Sequence, residues 1–126
     1  MAAILIVDDD DAVRDVLYDL FSEEHMSHAA ATAEQALAYL SEQTYDVVLT
    51  DISMPGLSGV ELLGHLRHEQ PDTPVIVISG IGDREHAEGL TRLGAFDFIL
   101  KPFTLEAVQE SVNRALDESR TRKAGR

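Results

Sequence analysis

The chain has 126 residues, 44% of them hydrophobic and 26% charged, which suits one globular domain and leaves too little for a second core. Ten Lys and Arg against 23 Asp and Glu give a formal charge of -13, a balance that repels nucleic acid and anionic membranes and argues against direct nucleic-acid binding. There is no cysteine, which excludes disulfide scaffolds, thiolate metal sites and cysteine nucleophiles; the apolar opening Met1 to Val7 is too short for a signal-peptide core or a membrane span, so a cytoplasmic protein without membrane association is expected.

Ile4-Leu5-Ile6-Val7 is an apolar, β-branched run of the kind buried on both faces of a parallel sheet, and four acids, Asp8 to Asp11, follow it. Val13, Val16, Leu17 and Leu20 then have helical spacing, with Asp10 and Asp11 placed as caps. His28-Ala29-Ala30-Ala31 is a mixed run suited to an edge strand, and Thr32 with Gln35 has capping-box spacing ahead of Ala36, Leu37 and Leu40. Val47-Val48-Leu49 is a second fully apolar strand, running out at Asp51. Met54-Pro55-Gly56 turns the chain, and Ser58 with Glu61 repeats the capping-box spacing ahead of Val60, Leu63 and Leu66. Val75-Ile76-Val77-Ile78 is a third apolar strand, followed by Ser79.

Residues 83–93 form the weakest predicted helix, since Gly89 interrupts it and only Ala87, Leu90 and Leu93 offer apolar contact. Phe96-Asp97-Phe98-Ile99-Leu100 is a second mixed strand, followed by Lys101. Thr104 caps the clearest helix, with Leu105, Val108, Val112, Ala115 and Leu116 on one face. Beyond Leu116 the chain is polar with no apolar face. The folded domain is therefore read as residues 1–119, and residues 120–126 as a frayed polar tail or the start of a linker.

Five strands alternating with five helices predict an α/β, doubly wound, five-stranded parallel sheet with helices on both faces. With the apolar strands central, the strand order is 2-1-3-4-5, which is flavodoxin-like. Ligands of such sheets bind outside the carboxyl ends of the strands. The residues leaving those ends are Asp8 and its acidic neighbours, Asp51, Ser79 and Lys101. Carboxylates gathered there repel unless a cation joins them, and a hard divalent ion such as Mg²⁺, bound by oxygens, fits that need. Lys101, one of two lysines with Lys123, supplies a further positive charge. A carboxylate nucleophile, a metal ion, an ammonium and a hydroxyl together match the needs of phosphoryl transfer, which are positioning and charge neutralisation.

Three motifs, Ile4-Leu5-Ile6-Val7-Asp8-Asp9-Asp10, Asp46-Val47-Val48-Leu49-Thr50-Asp51-Ile52-Ser53-Met54-Pro55-Gly56 and Gly94-Ala95-Phe96-Asp97-Phe98-Ile99-Leu100-Lys101-Pro102-Phe103, carry a resemblance to the receiver domain of two-component response regulators, over about residues 3–118. The resemblance implies that Asp51 accepts a phosphoryl group from a sensor histidine kinase, a phosphotransfer protein or a small phosphodonor. It implies that Asp8, Asp9 and Asp51, with the backbone carbonyl of Ser53, hold Mg²⁺, and that Ser79 and Lys101 contact the phosphoryl group. A cis Lys101-Pro102 bond follows from the same likeness. So does a switch in which Ser79 shifts, Phe98 turns inward and the face of the fourth helix, fifth strand and fifth helix changes. Such a domain catalyses only its own phosphorylation and dephosphorylation, and acts on an output partner, a fused output domain or a phosphorylation-dependent dimer. Ser53 and Gly80 depart from common family choices. With Ile81, Ser53 flanks the path of an attacking water, which leaves the lifetime of the phosphorylated state open.

Two rival classes are weighed. A Mg²⁺-dependent aspartyl-phosphate phosphatase wants a second carboxylate two residues after the nucleophile as general acid, where this chain has Ser53. A flavodoxin-like cofactor binder would offer amides and hydroxyls, rather than four aspartates, to a phosphate. A phosphorylation-independent, receiver-like binding module is the remaining alternative, and Asp8, Asp9, Asp51, Ser79 and Lys101 speak against it. His25, His28, His65, His68 and His86 are scattered, without convincing ligand spacing, and are read as surface or cap residues.

Overall fold

The computed structural model describes residues 2–52, 59–80 and 84–124. Strands β1 (Ala3–Val7), β2 (Met26–Ala30), β3 (Val47–Asp51), β4 (Val75–Ser79) and β5 (Asp97–Leu100) alternate with helices α1 (Asp11–Ser22), α2 (Ala33–Glu42), α3 (Gly59–Glu69), α4 (Arg84–Arg92) and α5 (Leu105–Ala124). Every neighbouring pair of strands is parallel, in the order β2-β1-β3-β4-β5. The two mixed runs are the edges and the three apolar runs the centre, as their patterning requires. All five strands therefore end at one rim.

Side-chain alternation divides the core between the two faces. Leu5, Val7, Val48, Val75 and Val77 pack with Ala36 and Leu40 of α2, Leu62 and Leu66 of α3, and Ala87 and Leu90 of α4. Ile4, Ile6, Val47, Leu49, Ile76 and Ile78 pack with Leu17 and Phe21 of α1 and with Val108, Val112 and Leu116 of α5. Among the described residues, no helix is long and apolar enough to cross a membrane.

Asp10 caps α1, its side chain accepting from the amides of Ala12 and Val13, while Asp11 is the first helical residue. Thr32 caps α2 by accepting from the Gln35 amide, and the Gln35 side chain reaches back to the Ala31 amide. Thr104 accepts from the Ala107 amide at the start of α5. Ser58 and the Met54-Pro55-Gly56 turn lie outside the described residues. The chain after Leu116 differs from expectation. Helix α5 runs on to Ala124, Ser119 is buried, Arg120 bonds both Leu116 O and the Asp117 carboxylate, and the Thr121 hydroxyl bonds Asp117 O. Spaced three and four residues apart, these contacts extend the helix beyond the end of its apolar stripe at Leu116.

Away from the carboxyl rim, Gln70 ties together the connections that enter β3 and β4. Its buried amide accepts from Tyr45 N (2.9 Å) and from the Thr73 hydroxyl (3.2 Å), and donates to Leu40 O (3.0 Å) and Gln43 O (2.9 Å). Tyr45 is buried, and its hydroxyl lies 2.7 Å from His28 Nδ1; the His28 ring is half-buried and stacks on Tyr39. His28 is thus a packed residue of the β2 edge rather than a surface or cap histidine.

Burial, with smaller contributions from Tyr39 and Glu42, pushes the Tyr45 phenol up to about 12. The unfolded chain ionises this phenol near pH 10, so between about pH 10 and 12 the folded state holds the extra proton. The stabilisation is complete below about pH 10 and is lost as pH rises to about 12. Tyr45→Phe is expected to cost about 1 kcal/mol at neutral pH through the lost hydrogen bond, and to flatten the alkaline decline. Urea midpoints of parent and variant between about pH 9 and 11 test this, and parallel declines would assign the slope to other groups.

Candidate functional site

The site residues arrive from four neighbouring strands. Asp8 follows β1, Asp51 ends β3, Ser79 ends β4 and Lys101 follows β5. Main-chain bonds carry the sheet ladder past the strand ends: Asp8 N donates to Ala30 O (3.1 Å), Ile52 N to Ile78 O (3.2 Å) and Lys101 N to Ser79 O (2.8 Å). The side chains therefore leave a backbone that is already fixed.

The Lys101 ammonium lies 3.3 Å from Asp51 Oδ2 and 3.4 Å from Asp8 Oδ2. Carboxylate oxygens of Asp8, Asp9 and Asp51 lie within 4.8 Å of one another, so a single ion could touch all three. Asp8 and Asp51 are buried and Asp9 is exposed. Ser79 is fully buried, with its hydroxyl 3.4 Å from Gly80 O. The Lys101-Pro102 bond is cis. Phe98 is half-buried against the core on the α2, α3 and α4 face; it pairs in register with Val77, two residues before Ser79 on β4. Ser53, Ile81 and Asp83 lie outside the described residues.

Asp8 is fully buried. Its Oδ1 accepts from Asp10 N (2.9 Å), while Oδ2 is buried and accepts no hydrogen bond among the described residues, with the ammonium 3.4 Å away. Burial raises the Asp8 carboxyl above the usual range; the Asp10 amide opposes that rise, Asp51 adds to it, and Lys101 opposes it. For Lys101, burial alone would lower the ammonium, but the neighbouring charges of Asp51 and Asp8, with the hydrogen bond to Asp51, outweigh it and raise it. One ammonium between two buried carboxylates leaves excess negative charge in a poorly solvated place. The donors are all hard oxygens, and one of them, Asp8 Oδ2, is buried without a hydrogen bond. That set fits Mg²⁺, which needs few carboxylates and keeps other ligand positions for water or phosphate oxygens.

Arg14 is a residue that reasoning from strand ends does not reach. From the first turn of α1 its Nη1 donates to Asp8 O (2.9 Å), and its Nη2 contacts the Asp11 carboxylate. The sequence signal is charge: Arg14 is the sole Lys or Arg before Arg67, and it directly follows the acidic run.

The model for the response regulator receiver domain matches residues 4–113. The chain is 37% identical over 114 residues to the response regulator protein FleR of Pseudomonas aeruginosa, covering 90% of this chain and 24% of that protein. It is 40% identical over 114 residues to the regulatory protein AtoC of Escherichia coli, covering 90% of this chain and 25% of that protein. The chain thus spans about a quarter of the length of these curated relatives. The crystal structure of the receiver domain of NtrX from Brucella abortus superposes with a TM-score of 0.86 at 38% identity, covering 90% of this chain and 98% of that one.

Because burial and Asp51 both disfavour a charged Asp8 carboxylate, Asp8→Asn is expected to stabilise the metal-free chain by about 1 kcal/mol, a few degrees in Tm. A carboxyl raised on folding favours the folded state when protonated. The parent should therefore gain on the variant as pH falls through the carboxylate range. Thermal unfolding at pH 7 and near pH 4, in the presence of a chelator, measures both effects. A lower Tm for Asp8→Asn at pH 7 would contradict the charge argument.

Proposed function

The chain belongs to the response regulator receiver domain family of two-component systems, and on that premise we propose that it is a Mg²⁺-dependent phosphoacceptor switch with Asp51 as the acceptor. The observation that carries this reading is the convergence of Asp51 and Asp8 on the Lys101 ammonium, with Asp9 within reach of the same ion. Asp8, Asp9 and Asp51 would hold Mg²⁺, with the Ser53 carbonyl as a further ligand from outside the described residues. When bound, the ion neutralises charge on the oxygens of the transferred group.

An Asp51 carboxylate oxygen attacks the phosphorus of a phosphohistidine on a sensor kinase or phosphotransfer protein. The P–N bond breaks with its electron pair on the imidazole nitrogen, which takes up a proton. Lys101 exchanges its carboxylate contacts for phosphoryl oxygens, and the Ser79 hydroxyl, buried at the end of the adjacent strand, donates to another. Movement of Ser79 frees space two residues along the sheet from the Val77–Phe98 pair, and Phe98 turns into it. The change then reaches the surface formed by α4, β5 and α5. The ligand interactions of the phosphorylated state have to favour that arrangement over the resting one for the equilibrium to shift.

The output is proposed to be a further domain or partner protein, since the curated relatives are about four times as long as this chain. Their names describe regulators, which supports control of a downstream process rather than turnover of an external substrate. Residues 1–119 are proposed as the switching unit and residues 120–126 as the route toward that output. A cytoplasmic location accompanies the proposal, as does a dimer that forms on phosphorylation.

Incubation with acetyl phosphate and Mg²⁺, followed by intact mass, tests the reading. A single labile phosphoryl group is expected on the parent, with none after chelation of the metal and none on Asp51→Asn. Label retained by Asp51→Asn would place the acceptor elsewhere. Sustained phosphate release from unrelated phosphoesters would make the chain an enzyme.

A further inference from the structure

We propose that Arg14 is a positioning residue, which aims the Asp8 carboxylate by holding the main chain of Asp8; this rests on the reading of the acidic site given above. The acceptors on Asp8 divide cleanly. Its carbonyl takes the Arg14 Nη1 hydrogen bond at 2.9 Å, and its Oδ1 takes the Asp10 amide at 2.9 Å. Oδ2 is left buried, without a hydrogen bond, 3.4 Å from the ammonium. With carbonyl and Oδ1 both occupied, Oδ2 is the oxygen that Asp8 presents to a cation.

Arg14 can do this because its side chain is largely covered, 18% exposed, while its Asp11 partner is 84% exposed. The guanidinium forks, one nitrogen to a carbonyl of the β1–α1 connection and the other to the first residue of the helix that the connection enters. Asp10 completes the clamp by capping that helix at Ala12 and Val13. A planar fork with fixed donors suits this task, and the single-point ammonium of lysine does not reproduce it.

Two effects of Arg14 on Mg²⁺ have opposite sign, which makes the proposal testable. As a charge, Arg14 repels a cation from the acidic rim, and its removal would tighten Mg²⁺ binding. As a clamp it pre-organises a ligand, and its removal weakens binding; outer partners of metal ligands typically matter by about tenfold or more. We expect the clamp to dominate.

The experiment is a Mg²⁺ titration of the chain without phosphodonor, followed by backbone amide chemical shifts, for the parent, Arg14→Gln, Arg14→Lys and Asp11→Asn. Thermal unfolding checks that each variant is folded, and amide hydrogen exchange at Asp10 reports the clamp directly. The half-saturating Mg²⁺ concentration should rise on the order of tenfold in Arg14→Gln, with faster exchange at Asp10. Arg14→Lys should recover little of that loss, and Asp11→Asn should lose less than Arg14→Gln, because the carbonyl bond survives. An unchanged or lower half-saturating concentration in folded Arg14→Gln overturns the role of Arg14 alone. A parent chain that shows no Mg²⁺ response overturns the reading of the acidic site, and this role with it.

Discussion

Two buried carboxylates sharing one ammonium is the constraint on which the rest of this structure turns. Such a group is unfavourable by itself, because two like charges are held close together where water solvates them poorly. The fold tolerates it by building its rim from rigid parts. Asp8, Asp51 and Lys101 each leave a strand whose backbone is tied to a neighbour by a hydrogen bond at or just beyond the strand end. The apolar clusters on both faces of the sheet keep those strands in place. Parallel topology does the rest, since it delivers every strand terminus to the same side of the molecule.

Much of this was legible in the sequence, for a physical reason. Central parallel strands have to be apolar on both faces, so Ile4-Leu5-Ile6-Val7, Val47-Val48-Leu49 and Val75-Ile76-Val77-Ile78 declare themselves, and the first polar residue after each is a candidate for the rim. Asp8 and Ser79 are found by that rule alone, and Asp51 lies one residue beyond Thr50, the first polar residue after the third run. Lys101 follows a weaker, mixed strand and stands out because lysine is scarce here.

What stayed hidden depends on contacts between residues distant in sequence. Gln70 reads as an ordinary polar residue near the end of a helix, yet its amide joins Leu40, Gln43, Tyr45 and Thr73. His28 gave no ligand spacing, and only the fold shows that Tyr39 and Tyr45 enclose it. Nothing in the periodicity shows the Arg14 guanidinium turning back to a carbonyl of the preceding loop. The end of α5 was misjudged for a different reason. The apolar stripe ends at Leu116, but one ion pair, Arg120 with Asp117, and side-chain bonds to the helix backbone accompany residues 117–121 as helix.

The sheet order also gives the proposed switch a direction. With their carboxylates ionised, Asp8, Asp9 and Asp51 against Lys101 leave two negative charges, which one divalent ion would cancel. Phosphorylation at Asp51 would replace a carboxylate with a dianionic group and restore an imbalance at the end of β3. Among the described residues, the Ser79 hydroxyl and the Lys101 ammonium are able to answer it, and both lie on the β4–β5 side. On the other side, β1 brings only acids and β2 ends in Ala30, whose carbonyl is already engaged by Asp8 N. Among the described residues, new negative charge at Asp51 would therefore pull on β4 and β5 rather than on β2. That asymmetry would carry the response toward Phe98, α4 and α5 and leave the β2 edge unchanged.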